Sequence, residues 1–250
     1  MATVPQIDYP TSDGRPMAET DLHRELLLAV IETLKRWFAA QPSVYVSGNL
    51  LIFYVPGDKR RHVSPDVFVV FGVAKHRRLY YLLWEEGKGP DVAIELTSRS
   101  TRREDLETKF RLYRDVLKVR EYFLFDPQAE YLNPPLQGYR LRKGEYTRIR
   151  ARAGRLPSQV LGLHLEARGE QLRFYDPATG QWLPTPAEEE QQAQQARREA
   201  EAREQREAAA RREAEAREQR EAAARREAEA EVAQLRQALE ALRRQQDQES

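Results

Sequence analysis

Two short apolar runs in this chain each carry a carboxylate where the pattern calls for core. Asp66 follows Pro65 and opens Val67-Phe68-Val69-Val70-Phe71, and Glu95 stands inside Val92–Thr97. Short, β-branched runs of this kind read as buried strands. An ionised carboxylate in such a strand costs on the order of several kcal/mol unless it is paired or holds a metal. Strand alternation puts Val92, Ile94 and Leu96 on one face and Asp91, Ala93, Glu95 and Thr97 on the other. In an α/β sheet both faces are covered, which places Glu95 inside. The bland alternatives are an open face with a solvated Glu95, and a turn or cap for Asp66. The second accounts for Asp66 alone.

The segment 101–117 predicts a helix, with Thr101 and Glu104 as a capping box. Its apolar stripe is Leu106, Phe110, Tyr113 and Leu117, and Lys109 falls within or beside it. Asp105, one turn earlier, is a candidate partner for that ammonium. A lysine stem can also lie along apolar surface with its head in water. Two inward carboxylates and an inward lysine together point to a metal-dependent hydrolytic site.

An earlier helix is predicted from a Thr20–Asp21 cap to about Ala39, with Leu22, Leu26, Ala29, Val30, Leu34, Trp37 and Phe38 at helical spacing. If it starts by Glu19, that carboxylate also faces inward, with His23 beside it. A start at Asp21 removes that argument. Leu50–Val55 is apolar, Pro56-Gly57-Asp58 is a turn, and Leu79–Trp84 and Glu121–Phe125 read as strands. Shorter runs at Tyr139–Leu141, Tyr146–Ile149, Leu163–Leu165 and Leu172–Tyr175 are separated by Gly and Pro. Residues 1–18 read as a polar, extended arm. Helices alternating with strands predict a mixed α/β domain over residues 1–185.

From residue 186 the composition changes. Residues 198–211 read REAEAREQREAAAR, and residues 212–225 repeat them without a change. Glu199–Arg203, Glu207–Arg211, Glu213–Arg217 and Glu221–Arg225 are spaced as i,i+4 pairs, each adding about 0.2–0.5 kcal/mol to a helix. Alanine fills the rest, so 186–250 is predicted as one long helix. Val232, Leu235, Leu239 and Leu242 have the spacing of coiled-coil core positions. That register puts Glu207, Arg211, Glu221 and Arg225 on the repeat's seam. The expectation is a solvated single helix over 190–230 with a short self-associating coiled coil over 232–242. A frayed tail without a partner is the alternative.

The chain has 41 Lys and Arg against 40 Asp and Glu. Residues 188–250 carry a net of −4 and the body a net of +5. A mildly basic body permits a phosphate-rich partner without demanding one. With no cysteine and four scattered histidines, disulfides, thiolate chemistry and cysteine-zinc sites are excluded and a histidine-rich metal centre is not expected. The chain has no apolar run of membrane-spanning length and no signal pattern at its N-terminus, so a soluble cytoplasmic protein is expected.

These residues, in this order, resemble the PD-(D/E)XK nuclease superfamily, and within it the Uma2-type family of restriction-endonuclease-like proteins. The matching stretches are 13–20 (DGRPMAET), Ser64-Pro65-Asp66-Val67, 90–98 (PDVAIELTS), Lys109 with Tyr113, and 121–126 (EYFLFD). They cover about residues 10–185. The resemblance implies a restriction-endonuclease-like mixed β-sheet core flanked by helices, with Asp66, Glu95 and Lys109 as catalytic residues. It also implies Mg²⁺ or Mn²⁺ held by Asp66, Glu95 and the Leu96 carbonyl, and DNA as the partner. Glu19, Asp91, Asp105 and Tyr113 are secondary candidates, Glu19 and Asp91 as further metal ligands. The superfamily's lysine usually stands two residues after the glutamate. Here that residue is Thr97, so the lysine role is expected to have moved to Lys109. Arg99, Arg102 and Arg103 are candidate phosphate contacts, and solvation is the plainer reading of all three. A competing reading is an inactive nuclease fold that serves as a binding or assembly module through its C-terminal helix.

Overall fold

Thr20 caps the first helix, its Oγ1 accepting from His23 N at 3.2 Å, and α1 runs Asp21–Trp37. Lys35 and Arg36 sit in the last turn, where the helix dipole favours cations. Leu26, Val30 and Leu34 stack at i, i+4, i+8, with Leu27 and Ile31 beside them, and this face is buried. The computed structural model describes residues 9–12 and 20–248, with side chains up to residue 236. The 13–20 stretch, apart from Thr20, and Glu19 with it, lie outside the described residues.

Nine strands and two helical segments follow before the next sheet is complete. They are β1 Val44–Ser47, β2 Ile52–Phe53, β3 His62–Val63, β4 Val67–Phe71, β5 Tyr81–Leu82, α2 Leu83–Glu86, β6 Val92–Leu96, a π-helical turn Glu104–Lys109 running into α3 Phe110–Asp115, β7 Glu121–Phe125, β8 Leu136–Arg142 and β9 Glu145–Arg148. Six strands form the central sheet in the order β1-β4-β6-β7-β8-β9. Only the β6–β7 pairing is parallel. β2 pairs antiparallel with β3 and parallel with β5 in a small sheet. A third, antiparallel sheet consists of β10 Leu156–Pro157, β11 His164–Arg168, β12 Gln171–Asp176 and β13 Gln181–Trp182.

One face of the central sheet (Val67, Val69, Val92, Ile94, Leu96, Phe123, Phe125) packs on α1 and the third sheet. The other (Phe68, Val70, Ala93, Tyr122, Leu124) packs on Tyr113 and Leu117. Both faces of β6 are therefore buried, as the α/β reading requires. Gly138 on β8 faces Phe123, whose ring carbon lies 2.8 Å from where a Cβ would stand, so only glycine lets the two strands pack.

Several expectations need correction. Leu83-Trp84 belong to the single helical turn α2, not to a strand. The arm is not wholly free: Tyr9 is buried against Phe53, Tyr80 and Trp84. Segment 101–117 is not one α-helix, because residues 104–109 are wound as π-helix. Its cap is Ser98 with Thr101, which exchange backbone N–H to side-chain oxygen bonds at 3.1 and 3.4 Å, rather than Thr101 with Glu104.

The chain divides into two compact units, residues 1–188 and 189–250. Nearly all of the second lies in α4, Pro186–Gln248. Arg217 and Arg225 pair toward the C-terminus with Glu221 (2.9 Å) and Glu229 (3.0 Å), not with the expected Glu213 and Glu221. Both pairs are solvent-exposed and worth little. Val232 and Leu235 are 48% and 63% exposed. The side chains of Leu239 and Leu242 lie outside the described residues. Among the described residues no helix is long and apolar enough to cross a membrane.

Candidate active site

The antiparallel register of β4 on β6 pairs Val67 with Ile94, so the next step brings Asp66 alongside Glu95. The two are joined crosswise. Asp66 Oδ2 accepts from Leu96 N at 2.7 Å, and Glu95 Oε2 accepts from Asp66 N at 3.3 Å. Glu95 is fully buried. From the helical segment Lys109 Nζ reaches Glu95 Oε2 at 2.7 Å, and the Tyr113 hydroxyl donates to Glu95 Oε1 at 2.6 Å. Both oxygens of Glu95 are thus fixed. The Lys109 side chain is 11% exposed, so its ammonium is inside the protein and not snorkelled to water.

Asp105 completes the cluster. It is buried, and its Oδ1 lies 3.2 Å from Lys109 Nζ, within ion-pair range yet without hydrogen-bond geometry. Its carbonyl accepts from the buried Tyr122 hydroxyl at 3.0 Å. Asp105, Lys109 and Tyr113 recur at i, i+4, i+8; Lys109 and Tyr113 reach Glu95 on β6, and Asp105 lies against the Lys109 ammonium. Short π segments inside helices recur at functional sites. Leu106 and Phe110, expected on the inward stripe, are only half-buried.

Burial pushes the Glu95 carboxyl up, to about 8, against the pull of the Lys109 ammonium and with a further push from Asp66 and Asp105. Burial alone would lower Lys109, but the surrounding carboxylates outweigh it and hold the ammonium protonated well above its ordinary range. Burial and the neighbouring Glu95 keep the Tyr113 phenol neutral. A buried carboxylate, its cation and a phenol donor form one coupled unit.

The oxygen donors suit a hard divalent cation, which takes one or two carboxylates and keeps several waters. Asp66 Oδ1 accepts no hydrogen bond among the described residues and has His23 Nε2 3.7 Å away. Asp105 Oδ1 is a second unbonded acceptor. Among the described residues no group of three His, Asp or Glu is arranged to hold a metal.

The Uma2 family model, described as "Putative restriction endonuclease", matches residues 3–168, more than half of the chain. The chain belongs to the Uma2 family. No curated protein matches it. Among solved structures, the crystal structure of a "putative nuclease belonging to DUF820" from Anabaena variabilis ATCC 29413 is 17% identical. The match covers 62% of this chain and 82% of that one, with a TM-score of 0.44, too slight a likeness to carry an argument.

Not every candidate of this Uma2 chain joins the cluster. Asp91 shares a face with Glu95 but sits at the opposite end of β6. Its oxygens receive Phe71 N (2.8 Å), Lys88 Nζ (2.9 Å) and Arg120 Nη1 (3.5 Å), which anchor the strand end away from the cluster. Thr97 is buried and its Oγ1 takes the Tyr131 hydroxyl. Arg99 and Arg103 pair with Glu130 (3.3 Å) and Glu107 (3.5 Å), and Arg102 lies over the Tyr131 ring. One residue that sequence reasoning missed is Gly48. A Cβ there would stand 2.0 Å from the Asp66 carbonyl oxygen and 2.6 Å from Ile31 Cδ1. The signal was a lone glycine closing Val44-Tyr45-Val46-Ser47, the mark of a close backbone approach.

Proposed function

We propose that this protein is a Mg²⁺-dependent DNA endonuclease that hydrolyses phosphodiester bonds with a metal-activated water. The observation that supports this most is the 2.7 Å approach of Lys109 Nζ to Glu95 Oε2, beside Asp66. It supplies from a helix the cation that Thr97 does not supply from the strand. Asp66, Glu95 and the Leu96 carbonyl would hold the metal. When bound, Mg²⁺ supplies charge stabilisation at the phosphate and a lowered pKa for its water. Lys109 orients the attacking water or offsets the charge that develops on phosphate oxygen. Tyr113 fixes Glu95 through its second oxygen, and Leu96 N fixes Asp66. Asp105 holds the lysine head toward Glu95.

Plasmid cleavage with Mg²⁺ or Mn²⁺ tests this. Cleavage that Asp66→Ala abolishes is the expected result. No cleavage of any DNA form by clean protein, or cleavage untouched by Asp66→Ala, overturns it. The full occupation of both Glu95 oxygens favours one other reading, a closed ion-pair network in an inactive binding or assembly module. Fold membership alone does not confer activity. Calorimetric titration with Mn²⁺ separates the two, since the inactive module takes up no metal at millimolar concentration.

A further inference from the structure

The turn between β2 and β3 carries Lys59-Arg60-Arg61, three consecutive cations on a hairpin tip. Like charges in a row repel, and a tip without a role would be free to splay. This one is held. Asp58 Oδ1 accepts from Arg60 N at 3.0 Å, the Asp58 carbonyl accepts from Arg61 N at 3.1 Å, and the Lys59 carbonyl is 2.9 Å from His62 Nδ1. Gly57 N donates to the hydroxyl of the buried Tyr9 at 2.9 Å, tying the base of the tip to the body. The backbone is therefore fixed while the charges stay outside: the Arg60 side chain is 92% exposed.

Beside the hairpin lies a cleft of about 680 Å³, with Arg60 and Arg61 on one wall and Arg111 on the facing helix. Lys109 lines the same cleft, and so does Ser64, two residues before Asp66. The cleft thus runs from the hairpin to the edge of the carboxylate cluster. Its lining has Arg60, Arg61 and Arg111, the first two sharing Asp58 at 3.4 and 3.9 Å, and Lys109, which is paired with Glu95 and Asp105; the lining carboxylates are Glu104 and Asp115. Asp115 pairs with Arg114 at 2.7 Å, a cation it shares with Glu145 at 2.9 Å. Arg111 donates only to the Glu107 carbonyl, and neither it nor Lys59 pairs with a carboxylate among the described residues.

We propose that Lys59, Arg60 and Arg61 on the hairpin and Arg111 across the cleft grip the phosphate backbone of duplex DNA and lead it to Lys109. This rests on the nuclease reading of the cluster and gives that reading a substrate path. Cations carried on two sides of a groove neutralise phosphates without reading bases, so the grip is indifferent to sequence.

The test is fluorescence anisotropy of an end-labelled DNA duplex on full-length protein in excess EDTA, across a salt series. Each phosphate contact contributes about 0.9 to the slope of log affinity against log salt. The K59A/R60A/R61A variant is expected to flatten that slope by about 2 to 3, and R111A by about 1. A matched triple, R142A/R148A/R150A, on and just beyond β8–β9, keeps the wild-type slope. An unchanged slope in K59A/R60A/R61A overturns the proposal, as does an equal loss in the matched triple. Wild-type protein that binds no duplex at low salt overturns it together with the nuclease reading. If wild-type protein cleaves DNA while the hairpin variant binds normally, only the grip is lost. If binding depends on the hairpin and no DNA is cleaved, the grip stands and the nuclease reading falls.

Discussion

Lys109 Nζ and Glu95 Oε2 lie 2.7 Å apart across the boundary between a helix and a buried strand, fourteen residues apart in sequence. Above about pH 8, where Glu95 is ionised, removing one partner of such a pair leaves an uncompensated charge in the interior, at about 3–5 kcal/mol. Lys109→Met is therefore expected to lower unfolding free energy by that order and to abolish cleavage. Adding Glu95→Gln to Lys109→Met should restore much of the stability and none of the activity. Urea denaturation of the two single variants and the double variant closes the cycle, and additive losses would show that the two groups do not interact.

Glu95 also makes stability depend on pH. Its carboxyl titrates near 8 in the folded protein, against an ordinary value of 4.5. Between these values the folded chain keeps a proton that the unfolded chain has released. The native state binds more protons, so this group's contribution is full below about 4.5 and declines as pH rises through about 8. Lys109 is charged in both states across that window and adds no slope. The stability difference between wild type and Glu95→Gln should therefore shift against wild type from pH 5 to pH 8. A difference that stays constant would mean that Glu95 ionises at its ordinary value.

Gly48→Ala should act on Asp66 from behind. The new Cβ meets the Asp66 carbonyl at 2.0 Å, a backbone atom that cannot swing aside. Overpacking of this kind costs about 1–3 kcal/mol. Cleavage is expected to fall at least tenfold (about 1.4 kcal/mol at the transition state) while the protein remains folded at 25 °C. Circular dichroism and plasmid cleavage on one preparation check both halves of this.

The exposed Val232 and Leu235 predict self-association through the second unit. Val232→Asp/Leu235→Asp should sediment as a monomer where the wild-type chain does not. Equal sedimentation coefficients for the two would assign α4 to a solvated single helix.

The carboxylates were legible because each broke a strong local pattern. Strand alternation set Glu95 opposite Val92, Ile94 and Leu96, and burial of both faces of β6 removed the solvated alternative. The lysine was harder. A 3.6-residue template put Leu106 and Phe110 inward and Lys109 at the margin, whereas the π turn carries Asp105 and Lys109 inward. The residues turned inward, Asp105 and Lys109, are charged, so the apolar spacing did not report the shift. β2, β3 and β5, each two residues long, are too short for any period. Asp91 looked equivalent to Glu95 because alternation reports a face and not a position along it. Gly48 marked a close backbone approach without naming what approaches, since the Asp66 carbonyl is distant in sequence.

The crossed bonds between Asp66 and the Glu95–Leu96 pair are all inter-strand. A chain synthesised only through β4 carries Asp66 with neither its backbone donor nor its glutamate neighbour, and one synthesised through β6 still lacks Lys109 and Tyr113. The cluster is therefore complete only when β4, β6 and the helical segment 104–115 are all in place, so its geometry reports on the closure of the sheet.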